Sequence, residues 1–364
     1  MGNHPNKIRK WLYPISFLYG IGVSIRNKMF DWRILKQREY PIPIISIGNI
    51  TVGGTGKTPH TEYLIDLLQK HYTVAVLSRG YKRKTKGFII ATHETTVEEI
   101  GDEPFQIKQK FPEAIVAVDA NRRNGITKLL QLDKKPDLIL LDDAFQHRYV
   151  KPGLNILLTD YHRLICDDKL LPAGLLREPI SGKYRANIVI VTKCTQEVKP
   201  IDINIVTKRL ELYPFQKLYF SKFKYGSLYP IFSSEEKTNK IERSQLKQFN
   251  NLLLVAGIAN PQPLISELTK HNDKICCLVY KDHHQFSTKD IEEINKRYDS
   301  LDGNNNLVVT TEKDAMRLLS CKGLSDSVKD NIYALPVEVK ILQDKETLFN
   351  KNIYEYVKED TRNS

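Results

Sequence analysis

Pro43-Ile44-Ile45-Ser46-Ile47-Gly48-Asn49-Ile50-Thr51-Val52-Gly53-Gly54-Thr55-Gly56-Lys57-Thr58-Pro59 sets a glycine-rich turn between an apolar run and the start of a helix. Pro43 to Ile47 reads as a buried strand, and Pro59 suits the first turn of the helix that follows. Glycines let backbone N–H groups close on phosphate oxygens, and the helix N-terminus adds partial positive charge. Lys57 has the reach for terminal phosphates and Thr58 has a hydroxyl for Mg²⁺. The cradle Thr51, Val52, Gly53, Gly54, Thr55, Gly56, Lys57, Thr58 therefore predicts a site for a nucleoside triphosphate such as ATP. The usual pattern G-x-x-x-x-G-K-[ST] asks for glycine at position 51, where this chain has Thr51, and the pair Gly53-Gly54 offers compensation.

Working outward, apolar runs recur at Thr73 to Leu77, Ala114 to Val118, Leu138 to Leu141, Leu154 to Leu158 and Asn187 to Val191. Continuous apolar strands imply burial on both faces, so the fold class is α/β with a P-loop NTPase-like parallel sheet. New strands follow a polar stretch, at Leu252 to Ala256, Ile275 to Tyr280, Leu307 to Thr310 and Ile332 to Leu335, and predict a second, smaller α/β domain. The expected division is an N-terminal helix over 1–35, a kinase-type domain over 36–225, a linker over 226–248 and the smaller domain over 249–357. Lys358 to Ser364 reads as a polar tail.

The 364 residues are 41% hydrophobic and 27% charged, a globular composition. The 55 Lys and Arg against 43 Asp and Glu leave a net charge of +12, which favours an anionic partner. The five cysteines show no metal-ligand spacing, and their odd number argues against a disulfide framework. Near the N-terminus, Lys7, Arg9 and Lys10 precede the apolar, aromatic stretch Trp11 to Ile25, with Arg26 and Lys28 beyond it. At about 15 residues the stretch falls short of the ~20 that span a bilayer. Its aromatic residues and cationic ends instead fit a monotopic helix in the headgroup region, with packing on the protein's own core as the alternative.

Leu138 to Leu141 ends in Asp142-Asp143, a carboxylate pair at a strand end of the kind that holds Mg²⁺ opposite a phosphate loop, although such pairs also cap turns. Gln146 and His147 follow. Arg79 and Tyr81 follow another strand, suited to a phosphate and to a base or sugar. Gly101-Asp102-Glu103-Pro104 sits at a helix start, where Asp102 has the chemistry to take a proton from an acceptor hydroxyl or simply to complement the helix dipole. Arg122-Arg123 reads either as an anion contact or as a solvated pair. In the second domain His283 and His284 follow a strand and offer an imidazole to an acid. Val191-Thr192-Lys193-Cys194 lacks the carboxylate that reads guanine, which disfavours GTP. A nucleotide-dependent switch and a nucleic-acid-dependent ATPase are the competing classes, but no nucleic-acid recognition module is visible and no obligate protein partner is evident.

Taken in order, these elements resemble the tetraacyldisaccharide 4'-kinases. The likeness runs from the basic apolar N-terminal helix through Gly48 to Pro59, Ser78-Arg79-Gly80-Tyr81, Gly101 to Pro104 and Asp142 to His147. It continues through Leu171-Pro172-Ala173-Gly174 to Arg177-Glu178-Pro179, Gly257 to Pro261, Asp282-His283-His284 and Thr311 to Ala315. Ala144 departs from a glycine usual in the family. The resemblance implies ATP and Mg²⁺ on the first domain and a membrane-embedded glycolipid acceptor, phosphorylated in lipid A biosynthesis. It also implies residence on the cytoplasmic face of the bacterial inner membrane and a second domain that closes over the cleft. By that likeness Asp102 is the base assisted by His283, Lys57 stabilises phosphate charge, and Thr58 with Asp142 or Asp143 holds the metal. Arg79, Tyr81, Glu103, Arg122, Gln146 and His147 are the implied substrate or phosphate contacts.

Overall fold

The computed structural model describes residues 8–195, 198–232, 240–282 and 284–362. The chain divides into two compact units that differ from the expected domains in being discontinuous in sequence. One holds the residues through Glu94, Ile107–Phe223 and the chain from Val339 onward; the other holds Thr95–Gln106 and Lys224–Glu338.

The first unit is built on strands β1 (Ile44–Gly48), β2 (Val74–Ser78), β3 (Ile89–Ile90), β4 (Ile115–Val118), β5 (Leu138–Asp142), β6 (Leu154–Asp160), β7 (Ile188–Thr192) and β8 (Lys217–Tyr225). The second unit contributes β9 (Tyr229–Pro230), β10 (Asn251–Ala256), β11 (Ile275–Val279), β12 (Asn306–Thr311) and β13 (Ile332–Leu335), and β14 (Val337–Ile341) follows. Among the described residues the larger sheet runs β14-β8-β7-β6-β1-β5-β2-β4-β3. Its pairings from β8 to β4 are parallel, and β3 joins β4 antiparallel. β1, β2, β5 and β7 are buried at every residue, as strands covered on both faces by helices must be. Parallel pairing with a helix between strands sends every strand's carboxyl end to one edge. The register of Ile47 opposite Asp142 therefore brings the acidic end of β5 beside the start of the glycine loop.

Two readings of the chain's latter part are corrected. The expected linker over 226–248 belongs to the second unit's sheet, because Tyr229–Pro230 pairs with β13 and Leu228 bridges Ile241. Its polar centre, residues 233–239, lies outside the described residues. The expected polar tail continues a helix, Glu346–Arg362, that returns to the first unit. Phe349, Ile353 and Val357 recur every four residues and are 2%, 0% and 0% exposed, so one stripe of this helix is core. The backbone N–H of Ile44 donates to the Tyr356 hydroxyl at 3.0 Å, which ties the helix to the first residue of β1.

The second unit's sheet has the order β11-β10-β12-β13-β9, parallel except at β9. Its apolar residues form two clusters, one around Leu253, Val255 and Val308 and the other around Leu252, Leu254 and Val309. Alternate residues of β10 and β12 thus serve opposite faces, the period of two that a strand requires.

Candidate active site

The loop after β1 is shaped by Gly53 and Gly56, whose φ values of +109° and +88° lie in the left-handed region that a side chain would strain. Thr51 occupies the place of the missing glycine. It is 2% exposed, forms an antiparallel bridge with Leu176, and is flanked by a bond from Val52 N–H to the Leu175 carbonyl at 2.8 Å. An extended residue needs no glycine, so the substitution is absorbed by pairing with the segment after Leu170.

Nearly every carbonyl of the loop is turned outward and held. Arg177 Nε donates to the Thr51 carbonyl at 2.9 Å, Arg163 Nη2 to Val52 at 2.9 Å, and Thr192 Oγ1 to Thr55 at 2.8 Å. Lys193 Nζ donates to the Gly54 carbonyl and to Asp160 at 2.8 Å. Asn49 Nδ2 donates to Thr55 Oγ1 at 2.7 Å and its Oδ1 accepts from Arg177 Nη2 at 2.8 Å. With the acceptors engaged behind it, the loop presents donors: the first N–H groups of the helix Lys57–Leu68, which have no intrahelical partner. That is the electrostatics of an anion cradle. Asn49 and Lys193 fall in quoted stretches without being read as site residues there, and Arg163 falls in none.

The end of β5 supplies the acids. Asp142 is wholly buried and accepts from Thr61 Oγ1 at 3.2 Å and Ser78 Oγ at 3.4 Å. Asp143 adopts a left-handed φ of +46° and stands 3.7 Å from both Lys57 Nζ and Arg177 Nη2. Thr58 is also buried, at 4% exposure. The left-handed residue of this turn is Asp143, so glycine is not required at 144, where the Ala144 methyl joins the core. Beside it Gly48 is irreplaceable for space: a Cβ there would stand 2.7 Å from the Phe145 Cβ.

Cations gather past the same strand ends. Arg79 and Tyr81 are exposed, whereas Gln146 and His147 are half-buried. Of the pair Arg122-Arg123, the solvated reading fits Arg123 and not Arg122. Arg122 is 2% exposed and donates to the carbonyls of Asp119 at 2.6 Å and Asp142 at 3.1 Å, bracing β5 from beneath. Its neighbour Arg123 is exposed and lies over the Tyr149 ring at 5.2 Å. Burial, reinforced by the charges of Arg122, Arg26, Arg123 and Arg79, pushes the His147 imidazole down to about 4. Its Nε2 is buried with no hydrogen-bond partner among the described residues.

His60, one turn into the loop's helix, is a structural strut. Its Nδ1 is 2.7 Å from the Gly56 carbonyl, which can only accept, so the proton sits there and Nε2 accepts from Ser221 Oγ at 2.9 Å. Burial drives its pKa down to about 4 from an ordinary 6.5. A histidine neutral in the fold but protonated when unfolded stabilises the fold above pH 6.5 and loses that contribution as pH falls to about 4. The loss amounts to about 3 kcal/mol. We expect the melting temperature of His60→Gln to fall less than that of the parent between pH 7.5 and pH 4.5. Parallel melting curves for the two proteins would refute this.

In the second unit, Asp102 begins the helix Asp102–Lys110, as expected. Arg317 Nε and Nη2 both donate to Asp102 Oδ2, at 3.0 and 2.5 Å, and Lys313 Nζ donates to Glu103 at 2.6 Å. His284 stacks on Tyr280 with ring centroids 4.7 Å apart and bonds Asp290 at 3.0 Å, so it is engaged within its own loop. His283 lies outside the described residues. Among the described residues no group of three or more His, Cys, Asp or Glu is arranged as an all-protein metal site.

The N-terminal helix Tyr13–Asp31 inverts the usual amphipathic order. Its small and polar residues face the protein: Ser16 Oγ bonds the Leu170 carbonyl at 3.1 Å, Gly20 abuts Leu170, and Tyr19 donates to the Arg177 carbonyl at 2.7 Å. Phe17 and Leu18 are 69% and 68% exposed, and Trp11, Ile15, Ile21 and Ile25 are exposed with them. No helix among the described residues is long and apolar enough to cross a membrane.

A parallel sheet with a glycine loop after its central strand, a lysine and a threonine opening the next helix, and acids on the adjacent strand end define a P-loop nucleotide-binding protein of the phosphotransferase kind. The profile of the family described as Tetraacyldisaccharide-1-P 4'-kinase matches residues 8–357. The chain belongs to this family, the kinases of lipid A biosynthesis. It is 56% identical to the tetraacyldisaccharide 4'-kinase of Bacteroides thetaiotaomicron, over 100% of this chain and 97% of that one. It is 57% identical to the Bacteroides fragilis enzyme of the same name, over 98% and 95%. Among solved structures it is similar to the "apo" form of LpxK from Aquifex aeolicus in complex with ATP, with a TM-score of 0.73 and 30% identity over 96% of this chain and 99% of that one.

Proposed function

We propose that this chain transfers the γ-phosphate of ATP to the 4'-hydroxyl of a tetraacyl glucosamine disaccharide 1-phosphate at the cytoplasmic face of the bacterial inner membrane. The observation that carries the reading is the loop whose carbonyls are tied back by Arg163, Arg177, Thr192 and Lys193, leaving donors and Lys57 for a triphosphate. Phosphoryl transfer asks the protein mainly for positioning and charge neutralisation. The loop donors and Lys57 bind and orient the phosphates, and Asp143, loosely paired with Lys57 at 3.7 Å, is readily drawn to another cation. Thr58, Asp142 and Asp143 form an all-oxygen donor set suited to Mg²⁺ and would hold it. When bound, that ion neutralises charge shared by the β- and γ-phosphates. Asp102 accepts the proton of the acceptor hydroxyl with His283 assisting, while Glu103, Arg79, Tyr81, Gln146 and His147 contact the acceptor or phosphates. Arg122, being buried, supports the strand end instead.

The direct test follows radiolabelled phosphate from ATP into a purified tetraacyl disaccharide 1-phosphate dispersed in detergent. Formation of a doubly phosphorylated lipid supports the reading; ATP hydrolysis with an unlabelled lipid would return the chain to the nucleotide-switch class.

An acceptor with four acyl chains stays in its bilayer, and the exposed apolar face of Tyr13–Asp31 supports docking there. Phe17→Asp with Leu18→Asp removes about 3 kcal/mol of apolar insertion, on the order of 100-fold in partitioning onto anionic vesicles. Unchanged sedimentation with vesicles would eliminate the helix as the anchor.

A further inference from the structure

We propose that Arg317 is a positioning residue for phosphoryl transfer, fixing the Asp102 carboxylate through a buried chain of hydrogen bonds that begins at Gly257. The inference rests on the reading of Asp102 as the proton acceptor.

The chain of bonds lies within the second unit. Asp314 is wholly buried, and its Oδ2 accepts from the Gly257 N–H at 2.8 Å and from Thr311 Oγ1 at 2.7 Å. Its Oδ1 accepts from Arg317 Nη1 at 2.9 Å. Arg317 is itself 3% exposed and spends its other two donor nitrogens on one oxygen of Asp102. Each link is thus set by the one behind it: the ends of β10 and β12 orient Asp314, Asp314 orients the guanidinium, and the guanidinium orients Asp102. The helix Glu312–Leu319 adds a second hold, since Lys313 and Arg317 are four residues apart on one face and grip Glu103 and Asp102 in turn.

Stability alone is a poor reason for this arrangement. A buried ion pair seldom repays the desolvation of its charges, whereas a planar fork locks the direction of a carboxylate. Two donors converge on Asp102 Oδ2, so the guanidinium plane fixes where that oxygen sits. Direction matters because small misplacements of a reacting group cost rate out of proportion to their size. Arg317 lies in no motif quoted from the sequence, and the sequence distance of 215 residues to Asp102 hides the pairing.

The test is a double-mutant cycle on the full chain, with kcat and the KM for ATP measured by radiolabel transfer to the lipid acceptor. Arg317→Lys keeps the charge and the stem but loses the fork. We expect it to lower kcat about 10- to 100-fold with the KM for ATP changed less than about threefold. In the Asp102→Asn background the same substitution should cost less than about threefold more, because the group it positions is already gone. Should Arg317→Lys fail to melt cooperatively, Asp314→Asn takes its place in the cycle with the same expectation. Full-speed Arg317→Lys and Asp314→Asn enzymes overturn the inference, as do equal losses in both backgrounds, which would make the arginine merely structural. An unimpaired Asp102→Asn enzyme instead overturns the reading of Asp102 itself.

Discussion

Turnover of the Lys57→Met enzyme should fall about 1,000-fold, with ATP affinity reduced far less. Methionine keeps the length of the side chain and most of its packing, so the change isolates the charge. The Lys57 side chain is 13% exposed, and the nearest carboxylate, Asp143, lies 3.7 Å away, beyond a direct hydrogen bond. An ammonium so placed is poised for a stronger anionic partner. Charge that grows on the transferring phosphoryl group in the transition state rewards it more than ground-state binding does, which places the loss in kcat. A drop of less than tenfold would remove Lys57 from the chemistry and leave the loop as a binding element only.

For Asp102→Asn we expect kcat to fall by 10²- to 10⁴-fold, the range typical of a lost general base, with nucleotide binding nearly intact. Asparagine preserves an acceptor oxygen toward Arg317, so the fold of the second unit is retained while the proton acceptor disappears. Asp102 and the glycine loop belong to different compact units of the chain. Equilibrium binding of ATP and the rate of transfer should therefore separate cleanly in this variant. Turnover within threefold of the parent would exclude Asp102 as the base.

Much of the first unit was legible because its signals are local. Strands buried on both faces appear as unbroken apolar runs, and β1, β2, β5 and β7 lie within one residue of the runs read for them. Strands β8 and β14, at one end of the sheet, escaped notice: β8 mixes exposed lysines with aromatic residues, a pattern that a loop shares. The closing helix Glu346–Arg362 was not read from the sequence, and Lys358 to Arg362 passed for a tail because they are polar whether frayed or helical. Only the apolar stripe reaching Val357 explains why the helix persists.

The candidate site divides in the same way. Glycine, lysine, threonine and paired aspartates announce phosphate and metal chemistry by type and spacing, because backbone geometry and ligand hardness leave few alternatives. The outward-tied carbonyls depend on Arg163 and Lys193, which come from other strand ends. Arg122 read equally as an anion contact or as half of a solvated pair, and its burial against two carbonyls is something no dipeptide reveals.

By itself, then, the amino-acid order determined the nucleotide loop, the parallel architecture of its unit and the apolar basic helix at the start, all properties of residues within a few positions of one another. Tertiary structure alone decided that residues 95–106 join the second unit, that the helix turns its apolar face outward, and that Asp314, Arg317 and Asp102 form one bonded series. Hydrogen bonds and burial between residues hundreds of positions apart arise from packing, which no local pattern encodes.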